Sequence, residues 1–221
     1  MTRRAALTIE YGLLWLGLPA AAGAARLWIH LPILPLLWIV TAACLVSLLR
    51  DRSFHRRELW NIAALSDHWK PIALRFAVLG PMMFAAVWWL TPDMLLAFPK
   101  RNPGFWAVVM VAYPILSVYP QGIVWRSFLL HRYAALSDRP RVRWLAAAIA
   151  FGWLHVIFLN GQAPLLTLVG GYMFARTHQR SRSLVVSSIE HAMYGCCLFT
   201  AGWGWYFYHG SQQFVHATLG R

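Results

Sequence analysis

Six polar residues fall within otherwise apolar stretches of the chain: Arg75, Gln121, Arg126, His155, Glu190 and His191. An ionisable group in such surroundings is costly unless it is paired or wet, so each is a candidate for function. His155 and His191 supply two imidazoles, Glu190 a carboxylate, Gln121 an amide and Arg126 a fixed cation. Two imidazoles near a carboxylate can ligate a metal, or activate a water as general base beside an electrostatic stabiliser. No HExxH pair is present, so the usual zinc-protease helix is absent. These residue types admit a hydrolytic site, with His155 and His191 as the ligands if a metal is bound. Zinc and no metal both stay open.

The elements that must carry these residues follow from composition. Hydrophobic residues make up 59% of the 221, and charged residues only 12%. A soluble domain of that length needs more charge on its surface, whereas apolar runs of about 20 residues are long enough to cross a bilayer. The expectation is an all-α fold, a polytopic transmembrane helical bundle of about seven spans (six to eight). Spans are placed at 7–25, 28–49, 71–91, 105–131, 144–160, 163–176 and 184–208, in one membrane domain. Residues 1–104 form its N-terminal part and 105–210 the part that carries the polar residues. The fourth stretch is too long for one straight span, and Pro114 and Pro120 are expected to break it. A tight hairpin is expected at Asn160-Gly161-Gln162, and "RRELWNIAALSDHWK" reads either as an interfacial amphipathic helix anchored by Trp60 and Trp69 or as an ordinary connection.

Charge then orients the bundle. Assigning 1–6, 50–70, 132–143 and 176–183 to the cytoplasm gathers fourteen of the twenty Lys and Arg residues, and leaves only Arg26, Lys100, Arg101 and Arg221 on the other side. The net charge of +13 is thus a loop property, not the basic, aromatic-studded face of a nucleic-acid binder. Cys196 and Cys197 are adjacent in an apolar run and form no metal or disulfide framework. The first 27 residues have the outline of a signal peptide, but Glu10 and the many later spans favour an uncleaved first helix, with its N-terminus in the cytoplasm.

Depth decides which polar groups can meet. At 1.5 Å per residue, Arg126 lies roughly 9 Å from the cytoplasmic end of its helix, Gln121 and His155 roughly 16 Å, and His191 roughly 11 Å. Arg75 is about one turn inside its span and can snorkel outward, which makes it structural. Plainer readings stand beside the functional one: a lone buried histidine is usually a hydrogen-bonded packing residue, and Arg126 with Glu190 can be a purely structural ion pair. Convergence of two histidines, an acid, an arginine and an amide at one depth weighs against them.

Three short stretches carry a resemblance. "QGIVWRSF", "FGWLH" and "SLVVSSIEHAMYG" are similar to the three motifs of the CPBP (Abi) family of membrane-embedded endopeptidases, which includes the type II CAAX prenyl endopeptidases. Those motifs read Glu-Glu-x-x-x-Arg, Phe-x-x-x-His and His-x-x-x-Asn or similar, and here they fall in order between about 105 and 210. The tail "EHAMYGCCLFTAGWGWYFYHG" resembles a bacterial branch whose first motif reads Gln-Glu. The resemblance implies that Arg126, Phe151, His155 and His191 hold motif positions. It also implies a cavity open toward the cytoplasmic side of a bacterial inner membrane, where a glutamate and a histidine activate water against a peptide or membrane-protein substrate, with or without a metal. Gln121 and Gly122 stand where the paired glutamates belong, and Gly195 where an amide belongs. Glutamine is no base near neutral pH, and glycine offers no side chain. Two outcomes stay open: an endopeptidase, and a degenerate relative that binds hydrophobic or prenylated peptides without cutting them. A third, non-enzymatic structural role remains beside them.

Overall fold

The computed structural model of the chain describes residues 2–29 and 31–207. Tyr208, the last residue expected in the final span, positions 208–210 of the motif-bearing part and Arg221, expected on the side opposite the basic loops, lie outside the described residues.

The described residues form seven long helices: α1 (Arg3–Ala25), α2 (Ile33–Arg50), α3 (Leu65–Leu90), α4 (Pro103–Arg132), α5 (Pro140–Phe158), α6 (Gln162–Ser181) and α7 (Leu184–Ala201). All but α6 are long and apolar enough to cross a membrane. α6 runs the same length but ends in "ARTHQRS", which lowers its hydropathy. Side chains cap the starts where a polar residue is available: Thr2 accepts from the Ala5 N–H, Asn102 from Phe105 and Ser183 from Val186. Outward-facing Leu13, Ile39 and Leu74 are more than half exposed, as lipid-facing residues are.

Pro114 and Pro120 do not break the fourth span. α4 is continuous, and it accommodates them with two π-helical turns, Pro114–Val118 and Ile123–Phe128, on either side of Tyr119–Gly122. A proline ring clashes with the carbonyl four residues back, and a wider turn relieves that clash without ending the helix. The interfacial helix also does not form. Residues 56–64 are two short 3₁₀ turns, and α3 begins at Leu65. This stretch is pinned to the end of the bundle: the Tyr119 hydroxyl donates to the Leu59 carbonyl, Ser183 donates to that of Asn61, and Arg182 pairs with Glu58. Leu59 is buried beneath it, while Trp60 and Trp69 stay exposed.

The hairpin between α5 and α6 forms where expected. The Asn160 amide oxygen accepts from the Ala163 N–H, and its nitrogen donates to the carbonyls of Phe158 and Tyr206. Glycine lets these two helices approach closely, since a Cβ at Gly171 would lie 3.1 Å from the Ala148 Cα. α1 is tied to the bundle by Arg132, which grips both oxygens of Glu10 at 3.0 and 2.8 Å. α2 packs on the second half of α4, whereas α3 packs on α7; α2 and α3 do not form a packed pair.

Candidate active-site cavity

The three motif stretches sit on α4, α5 and α7, and the bundle brings them around one cavity of about 850 Å³. That is within the range of small-molecule sites. At its inner end stand Tyr113, Gln121, Phe151, His155 and His191. Its walls run to Leu34 of α2, Met82 of α3 and Phe105 of α4, all exposed at the rim. These rim residues lie toward the helix ends opposite the basic loops. The cavity therefore extends away from those loops, not toward them as the resemblance implies.

Each polar group at the inner end is held in place. The His155 Nδ1 lies 2.7 Å from the Phe151 carbonyl one turn earlier. A carbonyl only accepts, so Nδ1 carries the proton and Nε2 keeps its lone pair. Phe151 packs edge-on against both imidazoles, with centroids 4.7 Å from His155 and 5.6 Å from His191. His191 is stacked on Phe174 at 4.5 Å, and its Nε2 is 3.3 Å from the Tyr113 hydroxyl. Gln121 donates to the Ser117 Oγ at 2.7 Å.

Arg126 is buried behind this wall. It donates to the carbonyls of Ser187 (3.0 Å) and Val118 (3.1 Å), reaches the Ser188 Oγ at 3.5 Å, and lies over the Phe174 ring. It bridges α4 to α7, and it does so through carbonyls. The ion pair with Glu190 that the plainer reading allowed is not formed. Glu190 is bound instead by Arg75, whose Nε and Nη2 lie 3.0 and 2.6 Å from Oε1 while Nη2 also reaches Thr177. Arg75 does not snorkel. With α3 beginning at Leu65, it lies roughly 15 Å along the helix, too deep to reach water without leaving its partner. Glu190 is fully buried but does not line the cavity, because adjacent helical positions point apart and His191 takes the cavity side.

Two glycines shape the inner end. A Cβ on Gly122 would meet the Arg126 guanidinium and would come within 2.6 Å of Leu184. A Cβ on Gly195 would collide with the Tyr113 ring and hydroxyl. Tyr113 thus fills the space that a side chain at 195 would use, and it offers the hydrogen bond to His191. Sequence reasoning passed over Tyr113, Ser117 and Phe174, which are ordinary residues of apolar helices; the missing side chain at Gly195 was the signal that something else fills that space.

Residues 103–197 match the family model described as Type II CAAX prenyl endopeptidase Rce1-like. This segment is similar to that family. It spans α4 to the middle of α7, and it contains Gln121, Arg126, Phe151, His155, Glu190, His191 and Gly195. No curated protein and no solved structure matches the chain. The family supports a CAAX-type intramembrane protease fold. Among the described residues the cavity offers zinc two ligands, His155 and His191. Among the described residues no group of three His, Cys, Asp or Glu comes together, and zinc sites take at least three protein ligands. The donor set does not fit zinc.

Proposed function

We propose that the chain is an integral membrane protein, placed in a bacterial cytoplasmic membrane with its N-terminus in the cytoplasm, that binds a hydrophobic or prenylated peptide in this cavity without cutting it. One observation carries the reading: no Asp or Glu is among the described residues lining the cavity. Gln121 and Gly122 supply no carboxylate, and Glu190 is engaged by Arg75 outside the wall. The apolar lining suits a lipid-modified chain, and Tyr113, Gln121 and His155 offer hydrogen bonds to a peptide backbone at the inner end.

A second reading keeps the peptidase. The hydrogen bond from His155 Nδ1 to Phe151 leaves Nε2 as a lone pair in the cavity, and that nitrogen can take a proton from water. The two readings separate in liposomes offered a farnesylated peptide and its unmodified counterpart, with binding followed by fluorescence and cleavage by mass spectrometry. The chain should bind the farnesylated peptide intact, and Ala112→Trp, which fills the cavity, should weaken binding. Gln121→Glu, which puts a carboxylate on the cavity lining, should bring cleavage up by about 10²–10⁴-fold, the usual contribution of a general base. The replacement has the size of the glutamine it replaces. Cleavage by the unaltered chain that disappears in His155→Ala would replace binding with histidine-driven hydrolysis.

A further inference from the structure

Beside the cavity, and sharing Gln121, Phe151, Phe174 and His191 with it, lies a smaller void of about 10 Å³, room for one water-sized particle and, with a small shift of the ring walls, for a halide. Its polar borders are Gln121, Trp125, Arg126 and His191, and Phe151 and Phe174 help to close it. Trp125, Arg126 and His191 are each more than nine-tenths buried. Two ring nitrogens on this border, Trp125 Nε1 and His191 Nδ1, are buried with no hydrogen-bond partner. An indole nitrogen only donates. The Tyr113 hydroxyl lies 3.3 Å from Nε2 of His191; in the tautomer where the hydroxyl donates, the imidazole proton sits on Nδ1 and this nitrogen is a donor as well.

The charge around this void is equally one-sided. Arg126 has five N–H groups, and its contacts are two carbonyls and a hydroxyl. No carboxylate borders the void among the described residues. Position 122, one helical turn before Arg126 and therefore beside it, is glycine. The nearby acid, Glu190, is held by Arg75. A buried cation without a counter-charge is expensive, and donors without acceptors add to the cost.

We propose that this void binds a single monovalent anion of halide size, chloride being the common one, held by the Arg126 guanidinium with the N–H groups of Trp125 and His191. The anion supplies the negative charge that Gly122 does not. The site does not depend on what the large cavity binds or whether anything is cleaved.

Thermal unfolding of the full chain in detergent tests this, with chloride, bromide and gluconate compared at one ionic strength. A ligand that binds only the folded state raises Tm with its concentration, so raising chloride from about 1 to about 100 mM should lift Tm by a few degrees over gluconate. Bromide should act like chloride. Gly122→Glu places a carboxylate beside Arg126 and should abolish the halide response. Trp125→Phe keeps a ring but removes the N–H, and should shift the response to higher halide; it decides the matter if Gly122→Glu does not fold. Equal Tm in halide and gluconate would mean that the void holds water, and would overturn the proposal. So would a halide response that persists unchanged in the variants, which would mark anion screening of the basic loops.

Discussion

Arg75 closes on Glu190 from two nitrogens and ties α3 to α7 at a point where the carboxylate has no exposure at all. Its second oxygen, Oε2, has no partner, so nothing else is placed to hold the charge if Arg75 is lost.

Arg75→Met should therefore lower stability by about 3–5 kcal/mol, the usual effect of stranding one member of a buried pair. Arg75→Met combined with Glu190→Met should recover most of the loss, because two apolar side chains replace two charges. Unfolding midpoints in detergent measure both. Equal losses in the single and double variants would show that the two residues are not coupled.

The contact between Gly195 and Tyr113 makes a second prediction. Gly195→Ala pushes a methyl into the tyrosine ring and should cost about 1–3 kcal/mol, as overpacking does. Tyr113→Phe keeps the packing and loses only the hydrogen bond to His191, a cost of about 0.5–1.5 kcal/mol. Gly195→Asn should be far better tolerated with Tyr113→Ala than alone, and a denaturation series reads the difference.

Topology makes a third. A single cysteine at Arg139 should resist a membrane-impermeant maleimide added to intact cells and react once the cells are opened, since the loop before α5 shares its end of the bundle with most of the basic residues. Cys44 and Cys197 are buried and Cys196 is half-buried, so background labelling should be low. Labelling from outside would invert the bundle.

The fourth concerns pH. The His131 imidazole, followed by the Ser53 hydroxyl and amide, holds the Asp51 carboxyl well below the usual carboxylate range. A depressed folded pKa contributes stability that is present above the ordinary aspartate value near 3.9 and is lost as pH falls through the folded value. Melting curves below about pH 4 should therefore fall less steeply in Asp51→Asn than in the unaltered chain. Identical slopes would remove Asp51 from the acid response. The group is exposed, so the effect should shrink in salt.

Six of the spans were legible because each is an apolar run of bilayer length, whereas α6 was read from a shorter run; the similar depth of Gln121, His155 and His191 followed from a constant helical rise. The partner of Glu190 was not. Arg75 lies 115 residues away, and their meeting depends on α3 packing against α7, which no periodicity within either helix encodes. Tyr113 escaped notice for a related reason: its type is ordinary, and its role exists only because Gly195 leaves room on a neighbouring helix. The π turns of α4 were hidden because proline announces a disturbance without saying whether the helix stops or widens.

The parting of α2 from α3 at the cavity rim makes the bilayer a competitor. Leu34 and Met82 face the hydrocarbon there, so an acyl chain can occupy the apolar walls whenever no other ligand does. A prenyl group moving from lipid to these walls exchanges one apolar setting for another and gains little from the transfer. Preference for a ligand over the surrounding tails must then come from what tails lack: hydrogen bonds at the inner end, to Tyr113, Gln121 and His155. Measured affinities should accordingly follow the length and saturation of the host lipid.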